Sequence, residues 1–93
     1  MRIGMIVGSV WATRKDERLS PCKLLIVQPL DLRSGREDGA PLVAVDIIGA
    51  GAGERVLVVQ GSAACHAAGK SNPPVDATVV GIVDDTALAE LKK

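Results

Sequence analysis

The segment Gly49-Ala50-Gly51-Ala52-Gly53 sets three glycines at alternate positions, and glycines in such a run let backbone N–H groups approach a phosphate. A dinucleotide or P-loop site also needs a strand before the glycines, a helix after them and, for the P-loop, a Gly-Lys-Ser/Thr ending. Here Arg55-Val56-Leu57-Val58-Val59-Gln60 follows, which reads as a strand, and no such ending is present. The run is read instead as a β-turn whose glycines take positive φ or lie close to a neighbouring chain.

Cys65 and His66 pair a thiol with an imidazole, which raises nucleophilic catalysis or metal binding. Catalytic Cys/His pairs are brought together by the fold, whereas side chains adjacent in sequence diverge in most backbone conformations. A tetrahedral zinc site needs further ligands at suitable spacing, and only Cys22 and scattered aspartates remain. The pair is read as part of a loop or interface, with no cofactor or metal. Asp46, Asp76, Asp84 and Asp85 are the other candidates for acid–base or cation chemistry. Asp46 lies in an apolar strand, where an ionised carboxylate must find donors. The reading is structural: bonds to N–H groups of the glycine turn, or a pair with a neighbouring subunit's arginine. Asp84 and Asp85 suit a helix start. No nucleophile, base and oxyanion site assemble, so no enzyme is expected.

The elements that position these residues are short strands. Residues 2–12 alternate imperfectly, with Ile3, Met5, Val7, Ser9 and Trp11 opposed to Gly4, Ile6, Gly8 and Val10. This predicts a strand buried on much of both faces, its glycines marking a bend or a close backbone approach. Lys23–Gln28 is a second strand stopped by Pro29, Leu42–Ile48 a third, Arg55–Gln60 a fourth and Ala77–Val83 a fifth. The charged connection from Asp31 to Pro41 is exposed. Ala63, Ala64, Ala67 and Ala68 suit a short helical segment before the last strand, closed by Pro73-Pro74, and Leu88 and Leu91 suit a short C-terminal helix. The fold class is all-β: a small five-stranded OB-like β-barrel with these two helical additions.

At 93 residues the chain suits one domain over residues 1–93, of a size at which folding hides only about 60–65% of the unfolded surface. Such a monomer is marginal without partners. The composition is 47% hydrophobic, with Trp11 the only aromatic residue, so its apolar mass is aliphatic and favours strands. Eleven basic and eleven acidic residues cancel, and a chain with no net field and no stacking aromatics lacks the equipment of a nucleic-acid-binding barrel. The start of the chain, broken by Gly4 and Gly8, does not read as a signal peptide, and no stretch reaches the roughly 18 apolar residues of a membrane span. The expected setting is cytosolic, with Cys22 and Cys65 as thiols.

Three segments in order, Val45-Asp46 leading to Gly49-Ala50-Gly51-Ala52-Gly53-Glu54, then Gly61-Ser62-Ala63-Ala64, then Gly81-Ile82-Val83-Asp84, resemble the EutN/CcmL family of bacterial microcompartment vertex proteins. The likeness extends through residues 7–15 and 23–31 and so spans nearly the whole chain. It implies a homo-pentamer of OB-like barrels that caps the vertices of a polyhedral shell in the cytoplasm, with hexameric shell proteins of another fold as partners. The resemblance and the density of small residues place Gly49, Ala50, Gly51, Gly53 and Glu54, with Gly61, Ser62, Ala64, Cys65 and His66, at subunit contacts or near the ring axis. Two positions depart from the family's habit: Cys65 stands where an arginine is common, and Ser20-Pro21-Cys22 where a glycine is common. The competing reading is a small cytosolic ligand-binding or regulatory barrel that needs no shell partner.

Overall fold

The structure, a computed structural model, describes residues 1–11, 23–61, 64 and 76–83. Among these residues are five strands, β1 (Arg2–Val10), β2 (Lys23–Pro29), β3 (Leu42–Asp46), β4 (Arg55–Gln60) and β5 (Ala77–Ile82). They close into a barrel in the order β1-β2-β3-β5-β4, the five-stranded arrangement expected. Every neighbouring pair is antiparallel except β3 and β5, which meet in parallel through Val45–Thr78 and Asp46–Val79. The expected C-terminal helix lies outside the described residues, as does the helical segment apart from Ala64, which is helical.

Aliphatic residues of period two build the interior. Ile6, Leu25, Val27, Ala44, Val56, Val58, Ala77 and Val79 form one buried cluster, so each strand contributes its inward set and β-branched residues dominate the packing. β1 differs from its prediction. Gly4 and Ile6 are its buried members, Ile3 and Met5 are half-buried, and Val7 is exposed. A strand of a small barrel packs one face on the core, and the other face of β1 is only partly covered. The register slips between Ile6 and Gly8, so Val7 is the extra residue of a bulge, which bends the strand around the barrel.

Gly4 explains how β1 and β2 come together. A Cβ at this position would collide with Val27 Cγ1 and stand 3.0 Å from the Gln28 carbonyl oxygen. Only hydrogen fits, as the glycine pattern of the strand suggested.

Four boundaries shift from those read off the sequence: β1 ends at Val10 and not at residue 12, β5 ends at Ile82 and not at Val83, and the ends of β2 and β3 also move. Pro29 is the last residue of β2 and not the residue after it. It is the register partner of Gly4, and its carbonyl accepts the Asp38 N–H at 2.9 Å. The missing proline N–H costs nothing where the ladder ends. The β3 strand stops at Asp46 and not at Ile48, for a reason that belongs to the site below. Between them, the exposed loop is held by Asp31, whose carboxylate accepts the Ser34 hydroxyl at 2.8 Å and N–H at 3.3 Å. The Ser34 hydroxyl, then the Ser34 and Arg33 N–H groups, hold the Asp31 carboxyl below its ordinary value of 3.8. The bonds favour the ionised form, so their contribution is present above that value and fades as pH falls through the lowered one.

Two measurements check this account. Gly4→Ala lowers stability by about 1–3 kcal/mol in a denaturant titration, while Gly8→Ala, whose Cβ would meet nothing nearer than Ile26 Cδ1 at 3.6 Å, leaves the midpoint nearly unchanged. An NMR titration of Asp31 finds its midpoint below 3.8, and Ser34→Ala moves it upward.

Candidate functional site

Asp46 is buried at the end of β3. Its Oδ1 accepts the N–H groups of Ile48 at 2.9 Å and Gly49 at 3.0 Å, and its Oδ2 accepts those of Gly49 and Ala50, each at 3.1 Å. A carboxylate that gathers three successive N–H groups stops the strand and turns the chain, because those donors no longer face a neighbouring strand. Of the two structural roles read for Asp46 from its apolar setting, the structure shows the first, bonds to N–H groups of the glycine turn. It also accounts for Ile47 and Ile48 leaving the sheet.

The turn continues under similar control. Gly49 and Gly53 adopt φ of +96° and +87°, conformations that a side chain would strain. The Gly51 N–H donates to Glu54 Oε1 at 2.6 Å, and the Glu54 N–H to the Gly51 carbonyl at 3.1 Å. The far end hooks onto β1: the Gly53 N–H donates to the Ile6 carbonyl at 2.8 Å, and the Ile6 N–H to the Glu54 carbonyl at 3.0 Å. The N–H groups of Ile48, Gly49, Ala50, Gly51, Gly53 and Glu54 thus all have acceptors within the chain. A phosphate would have to displace these bonds, so the glycines serve the turn.

The second segment begins at Gly61, with φ of +71°, where the chain leaves β4. The Gly61 N–H donates to the Asp76 carbonyl at 2.9 Å, tying the departure of the excursion to its return. Ala64 is buried; its N–H donates to the Gly61 carbonyl at 3.1 Å and its carbonyl accepts the hydroxyl of buried Thr78 at 2.8 Å.

Of the residues assigned to subunit contacts or the ring axis, Gly49, Gly51, Gly53 and Gly61 are exposed and Glu54 is half-buried. Ala50 and Ala64 point into the chain's own core. Ser62, Cys65 and His66 lie outside the described residues, as do Cys22, Asp84 and Asp85. Among the described residues no three of His, Cys, Asp and Glu group to hold a metal ion, and no helix is long and apolar enough to cross a membrane. Sequence reasoning passed over Ile47 and Ile48 by placing them inside a strand; the signal available was Asp46 two residues before Ile48 and three before Gly49, the spacing of an Asx-type turn.

Comparison with known proteins agrees with this geometry. Residues 1–84 match the family described as ethanolamine utilisation protein EutN/carboxysome. The chain is 46% identical over 84 residues to the bacterial microcompartment shell vertex protein GrpN of Rhodospirillum rubrum, covering 90% of this chain and 93% of that protein. A solved structure of an ethanolamine utilization protein EutN superposes with a TM-score of 0.85 at 43% identity, covering 90% of this chain and 86% of that one. The structure described as the GrpN pentameric microcompartment shell protein from Rhodospirillum rubrum gives a TM-score of 0.80 at 44% identity, over 90% and 95% of the two chains.

The role of Asp46 can be tested in the chain itself. Asp46→Ala leaves the buried Ala50 N–H without its acceptor and lowers stability by about 2–3 kcal/mol at fixed protein concentration. Asp46→Asn keeps one acceptor oxygen and costs less. Amide exchange at Ile48, Gly49 and Ala50 accelerates in both variants, more in the alanine one.

Proposed function

The chain belongs to the EutN/CcmL family, and on that premise we propose that it is a single-domain structural subunit, five copies of which close into a ring capping a vertex of a bacterial microcompartment shell. The observation that carries the reading is the closed barrel's close superposition on a pentameric microcompartment shell protein across nearly the full length of both chains. The physical character of the chain supports it. A barrel of this size with an aliphatic outer surface, including exposed Val7, Val43, Ile47, Ile48 and Ile82, gains by covering that surface with copies of itself.

In this reading the protein works by shape and has no catalytic role. The Gly49–Glu54 turn and the segment from Gly61 to His66 stand at subunit contacts or near the ring axis. The outer rim of the ring meets hexameric shell proteins, and the assembly resides in the shell, within the cytoplasm. The turn is suited to a contact because it is rigid before assembly: its N–H groups are already bonded, so little ordering remains to be done on binding.

Native mass spectrometry tests the stoichiometry, with a dominant species of five chains expected and a persistent monomer at high concentration contradicting the reading. Gly51→Trp tests the turn. A Cβ at Gly51 meets nothing closer than Glu54 Oε1 at 3.6 Å, so the variant keeps its secondary structure by circular dichroism while losing the ring. Normal rings from it would remove the turn from the interface.

A further inference from the structure

The barrel's exposed aliphatic side chains include two groups on opposite flanks. Val43 on β3 is 47% exposed, and Ile47 and Ile48 just beyond β3 are 43% and 46% exposed. In the closed order β1-β2-β3-β5-β4, the seam between β4 and β1 lies across the barrel from β3. On that seam Ile3 and Leu57 sit side by side as register partners. With Met1 and Leu32 they line a groove of about 380 Å³, and Met1 and Leu32 are 82% and 50% exposed. One flank therefore projects branched aliphatic side chains and the other is hollow.

Charge follows the same division. Lys23 is exposed and is the register partner of Asp46, which places it beside the Ile47–Ile48 projection. The groove is bordered by two carboxylates, Asp31 and Asp38, against one guanidinium, Arg2. The Asp38 carboxylate pairs with Arg2 at 3.4 Å, with both side chains well exposed, a weak contact that leaves it open to a second cation.

A closed ring of identical subunits needs two different, mutually complementary patches on the flanks of each one. Resting on the ring reading above, we infer that the Ile47–Ile48 projection of one subunit seats in the Ile3–Leu57 groove of the next, with Lys23 facing Asp31 and Asp38 across the contact. Apolar side chains in the centre with opposite charges at the edge is the anatomy of a specific interface, the centre giving affinity and the edge giving orientation. The Asp46 carboxylate gains a second purpose: it fixes the projection before the neighbour arrives.

The test uses two variants that each spoil one surface, Ile48→Glu and Leu32→Glu, examined by native mass spectrometry beside the unaltered chain. Each variant alone is monomeric at concentrations where the unaltered chain is pentameric. An equimolar mixture yields a one-to-one heterodimer and nothing larger, because one intact projection meets one intact groove and the other two surfaces are both spoiled. If both variants remain pentameric while the unaltered chain is pentameric, the placement of the interface is wrong and the vertex reading stands. If the unaltered chain forms no pentamer, the vertex reading itself fails. Circular dichroism checks that each variant is folded. Should either unfold, the charge pair decides: Lys23→Glu weakens the pentamer against dilution and Lys23→Glu/Asp38→Lys restores it, whereas equal strength in all three chains overturns the inference.

Discussion

The carboxylate of Asp46 is the interaction on which the arrangement of this barrel depends. Three successive N–H groups converge on it. A buried carboxylate whose two oxygens both accept N–H groups has its hydrogen-bonding needs met within the chain. By taking those donors it ends β3 and directs Ile47 and Ile48 outward. It also starts the turn whose far side hooks onto Ile6 of β1. One side chain on the third strand thus governs how the fourth strand enters beside the first. Its own position is in turn set by the parallel contact of β3 with β5, which pairs Asp46 with Val79.

Two kinds of glycine differ in physical role. Gly4 is required by proximity, since the Val27 side chain and the Gln28 carbonyl occupy the space a side chain would need. Gly49 and Gly53 are required by conformation, having positive φ with open space around them. A glycine-rich loop can serve a ligand only if its N–H groups are free to point at one, and here they are engaged within the chain. The same composition that suggests phosphate binding in other contexts is here used to make a rigid, nearly side-chain-free surface. That fits the proposal that the turn stands at a subunit contact, where backbone and not side chains would set the distance of approach.

Size and composition push in the same direction. A short chain with a single aromatic residue has a modest core, and the proposed association of copies would add to its stability by covering surface. The aliphatic residues left exposed at the ends and on the outer faces of the strands supply that surface. A net charge of zero removes long-range repulsion between copies, while the charged residues of the loops remain for local orientation.

Much of this was legible in the sequence because strand patterns and turns are local. Period-two alternation placed β4 at its observed limits and the other strands to within about two residues, since each strand's inward residues must all be apolar. The order of small-residue segments identified the family, and an aspartate in an apolar strand before a glycine turn narrowed its role to bonds with the turn's N–H groups or a pair with a neighbouring subunit's arginine. What the sequence could not decide was everything set by which strands become neighbours. Nothing local distinguishes Gly4, which faces a neighbour's side chain and carbonyl, from Gly8, which does not. Nothing local says that Val7 bulges outward, or which strand will lie beside Asp46 where β3 ends. Those outcomes depend on residues far apart in the chain, Gly4 against Pro29 and Asp46 against Val79. A closed barrel fixes all its registers together, so the inside and outside of each strand are settled only when the last pair meets.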